Sequence, residues 1–353
     1  MFINELPDDC LLIIFDSINE LDDLLNYYKV CSKWSRLIAE RAKKVKYLLE
    51  HRNWYNDGKS PNYSFDFVYY RTKEPIDGSC LATLFPNLII GEFGVGFRLK
   101  VKHEDMVTLV KQIKSFKGLI HRFYDRYESI FQYCDQLEMV STDFMEPYIQ
   151  KIGVNIKQLH IESYEAIHFV KDAHYFPNLE RLHIRLDADH SEGYYHGPIL
   201  RRLKKVELSL PSYDGQEDFY GFQFMDSCPN LQSAHIYLNT HRFFVDESIK
   251  HKSLQDLVLE FYDPYWKKGV DWNDLKRLLM KYPNLKHLAL RSFKDLENEH
   301  MEQLVRILPN LVLFAVRSCP GFTRKAANCI QNYNKRRGRS IKFYFMRITM
   351  KFN

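Results

Sequence analysis

The chain has 353 residues, 45% of them hydrophobic and 27% charged, a balance that supports a buried core and excludes wholesale disorder. The formal net charge of +5 is too small for this length to indicate a nucleic-acid-binding protein by itself. Seven cysteines lie far apart without a CxxC pair, which argues against a zinc finger or a disulfide framework. With neither a secretory signal nor a long apolar run in sight, we expect a cytoplasmic or nuclear protein with reduced thiols.

The first forty residues predict three short helices. Pro7 suits the first turn of a helix, and Asp8 and Asp9 follow where the helix dipole favours carboxylates. A second helix is predicted from about Asp22, and a third carries Trp34. Three helices of this size cannot cover all of their large apolar side chains. One face is therefore expected to bind another protein or to pack on the rest of this chain.

The same stretch carries a specific motif, with its members in order at Leu6-Pro7, Leu11-Leu12, Ile14-Phe15, Val30-Cys31 and Trp34. In this it resembles an F-box, although Asp9 stands where the family more often has Glu. The resemblance implies docking on a Skp-type adaptor, which bridges an F-box to a cullin in a ubiquitin ligase. The predicted adaptor-binding residues are Leu6, Pro7, Leu11, Ile14, Phe15, Val30, Cys31 and Trp34. Leu12 and Leu25 are instead expected to hold the helices together.

The sequence changes character after the F-box-like stretch. Residues 41–52 predict a basic helix, and residues 53–78 are irregular, with two prolines and many aromatic side chains. We therefore predict an F-box over residues 1–45, a connector over 46–84 and a repeat domain over 85–353.

A self-similar phrase marks the repeat domain. Pro-Asn-Leu occurs five times, ending at Leu88, Leu179, Leu231, Leu285 and Leu311. Four of these copies, and three more without Pro-Asn, open an L-x-x-φ-x-φ phrase in which φ is apolar. From residue 156 to 311 the phrases start 23, 24, 28, 23, 31 and 26 residues apart, a spacing typical of leucine-rich repeats with helices. Degenerate copies are expected at Leu137/Val140, Ile341/Tyr344 and Leu88/Phe93.

The phrase also predicts the architecture. Its last two apolar residues are two apart, so they face one side of a short strand, and stacked neighbouring repeats bury them. The predicted fold is therefore α/β: a small three-helix F-box followed by a curved leucine-rich-repeat solenoid with parallel concave strands and outer helices. Helices are expected near 275–279 and 301–308, and at 104–116 in an atypical first repeat. An unrelated α/β sheet is the alternative, which the recurring phrase disfavours.

The remaining strand residues are predicted to form three rows on the concave face. The row before the core contains Gln158, Arg181, Lys205, Ser233, Asp256, His287 and Leu313. The middle row contains His160, His183, Glu207, His235, Val258, Ala289 and Ala315. The row after it contains Glu162, Arg185, Ser209, Tyr237, Glu260, Arg291 and Arg317. This face suits an acidic or phosphorylated protein segment, and an ordinary solvated face fits the pattern equally well. The predicted substrate-binding residues are Arg181, Arg185, Lys205, His235, Tyr237 and Arg291.

Other chemistry is weakly supported. The glycines of residues 91–96 are in the wrong order for a dinucleotide site and are interpreted as turns of a degenerate repeat. Asp187, Asp189 and His190 are better explained by a polar insertion than by a metal loop. We predict no catalytic residue, cofactor or metal. The basic run 335–339 fits a nuclear-import signal, a nucleic-acid contact or a solvated loop.

These patterns together predict a non-catalytic substrate receptor of an SCF-type (Skp adaptor–cullin–F-box) ubiquitin ligase. Its expected partners are a Skp-type adaptor, through it a cullin, and an unknown protein substrate, without a membrane. A non-degradative F-box scaffold is the alternative, and a nucleic-acid-binding solenoid is less favoured. The insertions at 187–198 and 263–272 form a competing rim site for the substrate.

Overall fold

The computed structural model describes residues 3–50, 66–71, 76, 78–122, 128–162, 164, 166–185, 194–209, 218–261 and 269–346. The chain divides into two compact units, Met1–Ile156 and Lys157–Asn353. Both units are built from parallel strands connected through helices and turns. Within the described residues, no helix is long and apolar enough to cross a membrane.

The first unit begins with the three predicted helices, α1 (Asp8–Asp16), α2 (Leu21–Tyr28) and α3 (Ser32–Ala42). A buried arginine ties them to the strands that follow. The Arg41 guanidinium donates to the Asn19 side chain at 2.9 Å and to the Phe67 carbonyl at 3.2 Å. Because a buried charge without partners is costly, these bonds fix the end of α3.

Five parallel strands follow in the first unit: β1 (Tyr47–Glu50), β2 (Phe67–Tyr70), β3 (Ile90–Glu92), β4 (Gly118–His121) and β5 (Met139–Thr142). Their spatial order is β5-β4-β3-β1-β2. The helices α4 (Leu81–Leu84), α5 (Val95–Lys100) and α6 (His103–Gln112) lie between these strands in the sequence, and α7 (Pro147–Ile152) follows β5. The strand predicted from Leu137/Val140 is β5. The amphipathic helix predicted at 104–116 is α6, which ends at Gln112.

The helix predicted over 41–52 is wrong. The third helix ends at Ala42, and Tyr47–Glu50 is a strand paired with β2 on one side and β3 on the other. Leu48, which is fully buried, faces the core. Strand pairing on both sides outweighs the local helix preference of this basic stretch. The described residues of the predicted connector therefore supply β1, β2 and α4, and the domain borders themselves stay a prediction.

Strand β3 also corrects the interpretation of the glycines at 91–96 as turns. Gly91 lies within the strand, where an added Cβ would come within 2.9 Å of Phe93 and 3.0 Å of Phe116. The two rings fill the space that a side chain would need, so glycine is required there for packing.

The second unit contains eight parallel strands in chain order: β6 (Gln158–Glu162), β7 (Arg181–Arg185), β8 (Lys205–Ser209), β9 (Ser233–Leu238), β10 (Asp256–Phe261), β11 (His287–Arg291), β12 (Leu313–Arg317) and β13 (Lys342–Met346). Its helices are α8 (Ala166–Asp172), α9 (Gly221–Asp226), α10 (Trp272–Met280), α11 (Asn298–Ile307) and α12 (Arg324–Arg337). The predicted α/β fold of parallel repeat strands and helices is confirmed, including the helices near 275–279 and 301–308.

The structure explains the Pro-Asn-Leu phrase. The leucine is buried, and the asparagine amide donates to a backbone carbonyl of the preceding repeat. Examples in the second unit join Asn230 to Arg201 at 2.8 Å, Asn284 to Lys252 at 2.8 Å and Asn310 to Pro283 at 3.1 Å. Each bond satisfies a carbonyl at the turn before a strand, so the phrase fixes how neighbouring repeats stack.

The predicted register of the last repeat is wrong by one residue. Tyr344 aligns with Ala315 and is 53% exposed, whereas Phe343 aligns with the buried Phe314. Phe343 and Phe345 continue the apolar set of β12, and a shift of one residue in a strand moves every side chain to the other face.

Candidate functional site

Three of the predicted adaptor-binding residues lie in the interior of the helical segment. Leu11, Phe15 and Trp34 are 0%, 1% and 8% exposed. The Trp34 ring packs edge-on against Phe15 with centroids 5.2 Å apart and against Tyr27 at 5.8 Å. Edge-to-face contacts at these distances are favourable, and they hold α1, α2 and α3 together. These three side chains therefore form the core of the helical segment and are covered by it.

The other predicted adaptor-binding residues lie nearer the surface. Pro7, Ile14 and Val30 are exposed, the last two at 40% and 53%, and Leu6 and Cys31 are half-buried. Leu12 and Leu25, expected to hold the helices together, are also half-buried.

The pattern missed three further exposed large apolar residues of this segment, Ile3 at 49%, Ile13 at 72% and Tyr28 at 37%. The available signal was that the apolar residues of α1 cover more than one stripe, so one stripe must face outwards. Ile13 and Ile14 of α1, Tyr28 at the end of α2 and Val30 in the turn before α3 are together called the exposed helix residues below.

Lys33 positions the start of the motif. Its ammonium donates to the Leu6 carbonyl at 2.9 Å and lies 3.3 Å from the Asp8 carboxylate. One side chain on α3 thus holds both the backbone before Pro7 and the first turn of α1. The carboxylate in that first turn also interacts favourably with the helix dipole.

On the repeats, the three predicted rows are present with the predicted register from β6 to β12. The first row runs through Gln158, Arg181 and Lys205, which are Cα partners on successive strands. The same pairing continues to Leu313, and it holds for the other two rows. The face formed by these rows is called the strand face below.

The middle row is a line of histidines beside carboxylates. His160 and His183 stack with centroids 4.0 Å apart and planes 8° from parallel. His183 Nδ1 lies 3.7 Å from Glu207. Burial lowers the pKa of His183, while the neighbouring carboxylates Glu207 and Glu162 act to raise it. His183 is therefore mainly neutral at pH 7, next to acidic side chains.

The six predicted substrate-binding residues fall into two groups. Arg181, Arg185 and Lys205 are exposed cations on β7 and β8. The others surround a carboxylate, Glu260, on β10. Glu260 accepts a hydrogen bond from Arg291 at 2.8 Å and lies 3.5 Å from His235 Nε2, and it is the Cα partner of Tyr237. A surface pair of this kind leaves little net charge on Arg291 for a ligand.

The basic run at 335–339 divides into two parts. Arg339 donates to the carbonyls of Val305, Leu308 and Leu311 at 3.0, 3.2 and 2.8 Å, so it satisfies backbone acceptors at the end of α11. Residues 335–337 form the last turn of α12, where cations are favoured by the helix dipole. A structural role thus accounts for Arg339.

In the described part of the chain, no group of three or more potential metal ligands is found. The sequence candidates Asp187, Asp189 and His190 lie outside the described residues. The competing rim insertions are described only from residue 194 and from residue 269.

The chain is similar in fold to several proteins of known structure. No family model and no curated protein matches the chain. It is similar to a TLR13–ssRNA13 complex (12% identity, TM-score 0.40), covering 73% of this chain and 41% of that one, so it spans less than half of that protein. It is similar to the Rad7 and Elc1 complex in yeast (15%, TM-score 0.42, 90% of each chain). A leucine-rich-repeat protein of Leptospira interrogans is also similar (11%, TM-score 0.35, 96% of this chain and 98% of that one). The assignment of the fold rests on the repeats described above.

Proposed function

We propose that the chain is the substrate-recognition subunit of an SCF-type ubiquitin ligase. In this proposal α1–α3 dock on a Skp-type adaptor, and the strand face binds the protein to be ubiquitinated. The observation that carries it is the set of exposed helix residues, whose exposure runs from 37% to 72% beside a core already filled by Phe15 and Trp34. Such a surplus of apolar surface is what a docking face needs.

The burial pattern gives the motif residues two roles in this proposal. The interior residues fix the three helices, and the exposed ones contact the adaptor. The repeats then hold a substrate close to the conjugating enzyme that the cullin carries, so the chain supplies effective concentration rather than catalysis. A cytoplasmic or nuclear location is part of the same proposal.

Co-purification with a Skp-type adaptor tests the docking face. Ile13→Glu and Val30→Glu should each weaken adaptor binding by roughly 2–4 kcal/mol, because a charge is placed where an apolar contact is buried. Both side chains are already exposed, so the fold should survive. Ile249→Glu, a change of the same kind at a 39% exposed site in the second unit, is the matched control. Full-strength adaptor capture by both helix variants would refute the docking face.

Reversal of charge on the strand face tests substrate capture. Arg181→Glu together with Arg185→Glu should reduce the set of ubiquitinated partners identified by mass spectrometry and leave adaptor binding intact. Partners that accumulate under proteasome inhibition would support degradation, whereas unchanged levels would favour a non-degradative scaffold. Retention of the same partners by the double variant would exclude these residues from the capture site.

A further inference from the structure

The repeat that leads into β8 carries a cation at a position that is uncharged in the neighbouring repeats. Arg201-Arg202-Leu203 stands where four of the seven phrases from 156 to 311 carry Pro-Asn-Leu, and position 202 corresponds to Asn155 and Ser253 in the other two. At the equivalent position Asn230 and Asn284 donate an amide hydrogen bond to the preceding repeat. Arg202 replaces this asparagine, so the amide hydrogen bond to the preceding repeat is lost and a positive charge is gained. Loss of a recurring structural contact in favour of a charge is expected at a functional position.

The two arginines line a groove of about 530 Å³ at the edge where the strands begin. The groove is lined by Glu180, Arg201, Arg202, Lys204, Asn230, Gln232, Ser253 and Gln255. Lys204 is paired with Glu180 at 3.0 Å, so the two guanidinium groups supply the net positive charge. Among the other lining side chains, the amides of Gln232 and Gln255 suit a peptide backbone.

The backbone beneath the arginines is held in place by hydrogen bonds. Asn230 donates to the Arg201 carbonyl at 2.8 Å, and the Gln232 N–H donates to the Lys204 carbonyl at 2.8 Å. The Ser253 hydroxyl closes the next turn through the Pro229 carbonyl at 2.7 Å. The arginines thus project from a fixed support, which lowers the entropy lost on binding.

We propose that this groove binds the phosphate of a phosphorylated serine or threonine in a protein segment. The inference rests on the proposed receptor function and deepens it by naming a substrate class. Two adjacent guanidinium groups can make bidentate hydrogen bonds to a phosphate, whose charge of about −2 matches theirs. In register with each other, the exposed Arg181 and Lys205 extend the positive surface onto the strand face, where the rest of the segment can lie.

A protein ligand fits this surface better than a nucleic acid. The cations nearest the groove, Arg181, Arg201, Arg202 and Lys205, lie at the strand-start edge of β7 and β8. Glu162, Glu207 and Glu260 stand in the rows of the strand face, so a continuous phosphate backbone crossing it would meet carboxylates. A single phosphate on a peptide avoids that repulsion.

The test uses the full-length chain and three probes: a degenerate peptide library with a fixed central phosphoserine or phosphothreonine, the same library unphosphorylated, and a single-stranded RNA. We expect the phosphorylated library to be retained roughly tenfold or more over the unphosphorylated one, as charge-assisted hydrogen bonds predict. Arg202→Asn should abolish this selectivity. Because it installs the amide used by the other repeats, its melting temperature should equal or exceed that of the parent.

Two further variants complete the design. Arg201→Ala should also lose selectivity, and it keeps the test decisive if Arg202→Asn melts early. Arg337→Asn, at an exposed arginine on α12 outside the groove, is the matched control and should bind like the parent. Equal retention of both libraries, or RNA binding that depends on Arg202, would overturn the inference.

Adaptor binding is measured on the same preparations. A chain that binds the adaptor without phosphate selectivity refutes only the groove. If the parent chain shows phosphate selectivity but no adaptor binding, the receptor proposal fails while the groove stands.

Discussion

The three N-terminal helices and the repeats of the second unit place apolar residues in different ways. In β7 the alternation is complete: Leu182 and Ile184 are fully buried, and Arg181 lies outside. In α1, Ile13 and Phe15 are two residues apart and both are large and apolar, yet they are 72% and 1% exposed. A period of two assigns each strand residue to one face. A helix with apolar residues on several sides does not show which side is covered.

The largest expected effect concerns the interior of the helices. Trp34→Ala should lower the free energy of unfolding of this segment by about 3–5 kcal/mol, the usual cost of removing a buried aromatic ring. Hydrogen exchange of α1–α3 in the full chain measures it. Ile13→Ala, the exposed counterpart, should change stability by less than about 0.5 kcal/mol. Similar losses for both variants would contradict the assignment of inside and outside.

The repeats contain an exception to their own alternation of buried apolar and exposed polar residues. Lys281, 1% exposed as a side chain, forms a 2.6 Å ion pair with Asp226, and burial raises the pKa of that carboxyl to about 6. Lys281→Met would leave Asp226 buried without its cation, so we expect a loss of about 3–5 kcal/mol in chemical denaturation.

Two comparisons isolate this ion pair. The double variant Lys281→Met, Asp226→Leu removes both charges and should recover most of the stability. Arg306→Met breaks the exposed helical pair with Glu302 and should cost only about 0.3–0.5 kcal/mol. A double variant as unstable as the single one would show that packing, rather than the stranded charge, causes the loss.

The same contrast explains how much the sequence could predict. The rows from Gln158 to Leu313 follow from a period of two and a recurring phrase, so both register and exposure were predictable. Strand β1 could not be predicted, because its pairing with β2 and β3 involves residues distant in sequence. The roles of Arg339 and of the Asn230 amide also depend on carbonyls of another repeat. The sequence signals the groove beside Arg201 and Arg202 only through the replacement of Pro-Asn by two arginines.

A smaller effect is expected from pH. His251 is 5% exposed with its Nε2 2.8 Å from the Cys228 carbonyl, and burial lowers its pKa below 6.5. The unfolded chain therefore takes up a proton first as the pH falls. This contribution to stability is complete above about pH 6.5 and is lost as the pH drops from there to the lower folded pKa.

Denaturation between pH 5 and 8 measures this loss, which is at most about 1.4 kcal/mol per pH unit for one proton. His251→Gln should flatten the acid side of the profile. His183, whose pKa is also lowered by burial, leaves a residual slope of the same sign. Asp226 opposes it, since its raised pKa gives a contribution that weakens as the pH rises towards 6. An unchanged slope in His251→Gln would show that this histidine does not titrate between the two states.

The smallest effect is expected on the strand face itself. Arg291 and Glu260 form a 2.8 Å pair whose side chains are 36% and 32% exposed, so Arg291→Met should cost no more than about 1 kcal/mol of stability. The loss should shrink further in 1 M salt, where surface charges are screened. Glu260 already neutralises the charge of Arg291. Arg291→Met should therefore weaken substrate capture less than Arg181→Met, which removes an exposed cation on β7. Equal losses of capture would place Glu260 and Arg291 in the contact surface and move the centre of the site from β7 and β8 towards β10 and β11.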